Sequence, residues 1–68
     1  MNKNMLEAEM KLAGDTGGDL ANYLGISRST FSQKLNENGT EFTKREIKLI
    51  INKYSLGAEK INQIFFSD

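Results

Sequence analysis

The chain has 68 residues, equal numbers of acidic and basic side chains, no Cys, no His and no Pro. That length allows one domain spanning 1–68 with a modest core, and the lack of Cys and His excludes disulfides and makes a zinc site improbable. No apolar run reaches the length of a membrane span, and the first residues lack the apolar stretch of a signal peptide, so a soluble cytoplasmic protein is expected, with no membrane partner.

No strand-length alternation of apolar and polar residues is present, and Gly and small polar residues divide the chain into five helical pieces. The first is expected over 3–13. Leu6 and Met10 lie four apart on one face, flanked by Met5 and Leu12, with Gly14 as the stop. The second starts at Thr16, an N-cap with Asp19 three residues on. Leu20, Ala21 and Leu24 form its apolar stripe, while Gly17 and Gly18 weaken its first turn.

The third piece follows Gly25-Ile26-Ser27. Ser27 is the N-cap, Arg28 opens the helix, and it runs to about Leu35. Only Phe31 and Leu35 are apolar, so the rest of this short helix is built to show a polar face. Residues 36–42 form a loop with Asn38-Gly39 as its turn signal. The fourth helix has Thr43 and Glu46 as a capping box, Phe42 and Ile47 as a hydrophobic staple, and Ile47, Ile50, Ile51 and Tyr54 as its core face. The fifth is expected over 57–66. Ile61, Ile64 and Phe65 are at helical spacing, but Ile64-Phe65-Phe66 cannot all face one stripe, so at least one is exposed or covered by a partner.

Charge is uneven along the chain. Residues 1–24 set Lys3 and Lys11 against Glu7, Glu9, Asp15 and Asp19. Residues 25–54 carry Arg28, Lys34, Lys44, Arg45, Lys48 and Lys53 against Glu37, Glu41 and Glu46. The positive charge therefore collects in the middle of a neutral chain.

The segment 19–31 has the spacing of a helix-turn-helix covering about 16–35. Ala21 is small enough for close helix approach, Gly25 can take positive φ, Ile26 plugs the corner and Ser27 starts the next helix. The run Leu20-Ala21-x-x-Leu24-Gly25-Ile26-Ser27-Arg28-Ser29-Thr30-Phe31-Ser32 resembles the Cro/C1-type helix-turn-helix family of phage and bacterial repressors. Glu41-Phe42-Thr43 and the Ile64-Phe65-Phe66 ending look like short phage-type regulators of Gram-positive bacteria, so the resemblance extends along nearly the whole chain.

The resemblance implies an all-α, compact bundle of five short helices of the lambda-repressor-like DNA-binding type. It implies a repressor whose partner is double-stranded operator DNA, with the third helix in the major groove. Arg28, Ser29, Thr30, Ser32 and Gln33 would then face base edges, where Arg suits guanine, Gln adenine, and Ser or Thr either. Thr16, Gly17, Asn36, Asn38, Lys44 and Arg45 would meet phosphates. Thr30 also suits a supporting role at the turn. Two positions depart from the pattern. Gly17 stands where many relatives carry Gln, and Lys34 where many carry an apolar residue, a packing role that falls here to Leu35.

Ile64, Phe65 and Phe66 are core residues in one reading and contacts to a homodimer partner or a second phage regulator in another. The competing function is a helix-turn-helix protein that binds and modulates another repressor and holds DNA weakly alone; a third is an architectural factor that bends DNA. An enzyme is not expected, nor a cofactor, a metal or a small-molecule substrate, because no His, Cys or Gly-rich phosphate loop is present. Met1 and the distinct last helix lead to the expectation of a complete small protein.

Overall fold

The computed structural model describes residues 1–66 and is all-helical among them. Five α-helices follow in order: α1 Lys3–Leu12, α2 Gly17–Leu24, α3 Arg28–Leu35, α4 Lys44–Tyr54 and α5 Ala58–Ile61, the last continuing into a π-helical turn, Asn62–Phe66. The radius of gyration is 10.9 Å, close to the ~11 Å expected of a compact domain of this length.

Each long helix starts where a hydroxyl or amide side chain takes up a free N–H of the first turn. Asn2 accepts from the Met5 N–H, Thr16 from Asp19, Ser27 from Thr30 and Thr43 from Glu46. At Thr16 and Thr43 the return bond is also made, so both are complete capping boxes.

The helices also end alike. After α1, Gly14 takes φ +76°, its N–H donates to the Lys11 carbonyl, and the Asp15 N–H donates to Met10 O at 2.9 Å. The same pair of bonds closes α2 around Gly25, α3 around Glu37 and α4 around Ser55. This Schellman arrangement satisfies the last carbonyls and turns the chain sharply, which keeps every connection short. Glu37 at φ 53° and Ser55 at φ 51° do it without the freedom of glycine. The expected stops at Gly14 and Gly25 are the ones made; α3 stops at Glu37, two residues before the Gly39 turn.

The core gathers Leu6 and Met10 from α1, Leu20, Ala21 and Leu24 from α2, Phe31 and Leu35 from α3, and Ile50 from α4. Phe42, Leu56 and Ile64 complete it. The expected face of α4 is centred on Ile50, which is fully buried, while Ile47, Ile51 and Tyr54 are half-buried around it. Leu12, expected to flank the α1 stripe, faces solvent instead and is 82% exposed.

Past Ile61 the α-helical expectation fails. A π-helical turn holds more residues than an α turn, so consecutive side chains fan over a smaller arc. This lets Ile64 reach the core and Phe65 pack half-buried against it, while Phe66 stays 67% exposed. The turn is tied to the start of the chain by the Asn2 N–H, which donates to Ile64 O at 2.6 Å. Lys60 reaches Glu9 at 2.6 Å and fixes α5 to α1. No helix among the described residues is long and apolar enough to cross a membrane.

Candidate nucleic-acid interface

The corner between α2 and α3 is built from four residues. Ala21 is buried on α2, the helix that packs against α3. Gly25 sits in the left-handed region, φ 74° and ψ 28°, and reverses the chain. Ile26 packs half-buried against the core, and its N–H donates to Ala21 O at 3.0 Å. Ser27 then opens α3. Its Oγ accepts from the Thr30 N–H at 3.0 Å and donates to Thr30 Oγ1 at 2.9 Å, so the Thr30 hydroxyl is engaged in the cap.

A helix advances 100° per residue. On α3 that places Arg28, Ser29, Ser32 and Gln33 on one side and Phe31, Lys34 and Leu35 on the other. Exposure follows this division: the first set is exposed, Phe31 and Leu35 are buried, and Lys34 and Thr30 are half-buried. Arg28, Ser29 and Gln33 have no side-chain hydrogen bond or ion pair among the described residues.

The inner side of α3 is fully committed. Lys34 Nζ donates to both carboxylate oxygens of Glu46, at 2.6 and 2.8 Å. Glu46 also accepts from the Thr43 N–H at 2.9 Å, so one carboxylate caps α4 and neutralises Lys34. Burial pushes the Glu46 carboxyl up, but the Lys34 hydrogen bonds, the Thr43 N–H and the Lys34 charge outweigh it and hold the group below its ordinary value. Lys34 is accommodated on this inner side because its charge is answered from α4, while Leu35 supplies the buried contact at the end of the helix.

The expected phosphate contacts divide similarly. At the start of α2, the Thr16 N–H and hydroxyl both bond Asp19 Oδ2, at 2.8 and 3.0 Å. The Thr16 N–H first, then its hydroxyl, hold the Asp19 carboxyl below its ordinary value, and this charge opposes an anion there. Gly17 lies against α3, where an added Cβ would meet the Phe31 ring at 3.5 Å. Asn36 is occupied, accepting from Lys3 Nζ at 2.7 Å and donating to Ser32 O at 2.9 Å. The Asn38 side chain is exposed, without a partner among the described residues.

At the start of α4, Lys44 and Lys48 are exposed, one turn apart, and have no acidic partner among the described residues. Arg45 reaches back to the end of α2, donating through Nη1 and Nη2 to Leu24 O at 3.4 and 3.3 Å. There a cation meets the negative end of α2. The sequence gives no signal for this contact, since Arg45 and Leu24 are 21 residues apart.

A second cluster was also invisible in the sequence. Tyr54 OH donates to Asp15 Oδ2 at 2.8 Å, Lys53 Nζ lies 3.5 Å from the same oxygen, and Lys53 stands 4.7 Å over the Tyr23 ring. Burial, the Asp15 hydrogen bond and the Asp15 and Asp19 charges push the Tyr54 hydroxyl well above its ordinary value. The cluster locks the end of α4 to the α1–α2 connection and to α2.

No family model, no curated protein and no solved structure matches this chain.

Proposed function

We propose that this chain is a sequence-specific DNA-binding regulator of the Cro/C1 type, acting as a repressor in the cytoplasm and laying α3 in the major groove of operator DNA. The observation that carries this reading is the division of α3. Every polar side chain on its inner side is used within the fold, while Arg28, Ser29 and Gln33 form an exposed face without partners among the described residues. Groups of that kind match the donor and acceptor edges of base pairs. Lys44 and Lys48, with the Asn38 side chain, are the phosphate contacts in this reading. Arg45, Thr16, Thr30 and Asn36 act mainly by holding the frame, because their polar atoms are already engaged.

Selection of bound duplexes from a random pool tests this. Enrichment of a defined site is the expected result, and a pool that stays random after successive rounds overturns it. A second reading, a protein that binds and modulates another regulator, is favoured by one observation, the exposed Phe66 beside an apolar groove. It would leave the pool unenriched.

A further inference from the structure

A groove of about 270 Å³ opens where Met1 approaches Phe65 and Phe66, its apolar lining made by Met1, Phe42, Ile47, Phe65 and Phe66. Small-molecule sites run from ~300 Å³ upward, so this one suits one or two inserted side chains. Phe66 stands at its edge, 67% exposed and tilted at 6.5 Å against the Phe65 ring.

The charges around it decide what fits. Lys34 borders the groove, but its ammonium is taken by Glu46 at 2.6 Å. The N-terminal ammonium is answered by Glu37 at 3.3 Å. Glu41, also at the border, is exposed and has no partner among the described residues. Among the described residues, the uncompensated charge at the mouth is therefore a carboxylate beside an apolar lining. A second copy of this chain fits poorly. A two-fold contact sets this patch against itself, and its own cations, Lys34 and the N-terminal ammonium, are already paired and leave none to answer Glu41; a stable dimer also buries ~800 Å² per partner, more than a site for one or two side chains offers.

We propose that this groove receives an amphipathic helix of another protein, with an apolar anchor seated against Phe65 and Phe66 and a Lys or Arg of that helix paired with Glu41. Such helices dock through apolar side chains three and four residues apart, and flanking charge selects among them. Lys34 lies on the opposite side of α3 from Ser29 and Ser32, so this partner and a ligand on the outer face can be held at once. The inference does not rest on DNA binding.

The test is a displayed library of random 16-residue peptides panned against the full chain, followed by synthesis of the best binder and anisotropy titration. Enriched peptides should carry an apolar i, i+3 or i+4 stripe with Lys or Arg beside it. Phe66→Ser and Glu41→Lys should each weaken the best binder about tenfold or more, and a peptide with Glu in place of its basic residue should recover affinity for the Glu41→Lys chain. No enrichment, enrichment of acidic peptides, or binding indifferent to both substitutions overturns the proposal. So does a wild-type dimer in sedimentation that Phe66→Ser turns into a monomer, which assigns the groove to a second copy.

Discussion

Lys34 and Glu46 show how one pair can settle several needs of a small fold. Both are nearly buried, joined by two hydrogen bonds, and Glu46 also caps α4. Removing one partner of a buried pair leaves the other charge unanswered at a cost of ~3 kcal/mol, so Lys34→Ala should lower the free energy of unfolding, read by chemical denaturation, by an amount of that order. The sign of the pH effect follows from the depressed Glu46 carboxyl. Its contribution is present above the ordinary value of 4.5 and is lost as pH falls through the lower folded value. Asp19 adds a loss of the same sign below 3.8. Melting temperature should thus fall steeply on acidification below about pH 4.5 in the wild type and more gently in Lys34→Ala. Tyr54 works in the other direction. Its raised hydroxyl gives stability that is complete below 10.0 and lost as pH rises beyond it, and Tyr54→Phe should remove that alkaline loss. The Thr16–Asp19 and Thr43–Glu46 caps were legible in the sequence, but the other two partnerships were not, because Lys34 and Glu46 are 12 residues apart and Tyr54 and Asp15 are 39 apart. Local spacing encodes caps and faces, not which charges meet.

At the scale of the elements, starts were easier to read than stops. Thr16, Ser27 and Thr43 announce their helices because an N-cap is a local hydrogen bond between neighbours in sequence. Gly14 and Gly25 announce stops because left-handed backbone favours glycine. Glu37 and Ser55 make the same stop with ordinary residues, so nothing in their identity reveals it. The π-helical turn was equally hidden: the run of three apolar residues signals a conflict of faces, and the wider turn is the way this chain relieves it. The left-handed cost for a residue with a Cβ is ~1–2 kcal/mol. Gly25→Ala should therefore destabilise by about 1 kcal/mol or more, with strain as the cause, since the added Cβ meets nothing closer than Arg45 Nη2 at 3.9 Å. Ser55→Gly relieves the same strain and should stabilise by about 0.5 kcal/mol after the greater freedom of glycine in the unfolded chain is counted. Chemical denaturation of both variants checks the pair, and equal effects of one sign would refute the strain argument.

Across the whole molecule, folding sorts the charges of a neutral chain. Lys34, Lys53 and Lys60 are spent on carboxylates inside the fold, and Arg45 on a helix end. Lys11 on α1 remains outward without a partner among the described residues, and so do three cations from the middle of the chain, Arg28, Lys44 and Lys48. The concentration of positive charge in the middle of the sequence hinted at this, but which cations stay free depended on the fold. If those three reach phosphates or bases, binding to duplex DNA should weaken with salt along a log–log slope of about −3, and Lys44→Ala or Lys48→Ala should each reduce that slope by about one while weakening all sequences alike. The measurement that bears most directly on the proposed role of α3 is the affinity of Arg28→Ala for the selected duplex at fixed moderate salt. A loss of ~1–3 kcal/mol, with relaxed preference at one base pair, is the expected result, and an unchanged affinity would contradict the assignment of the outer face of α3 to reading DNA.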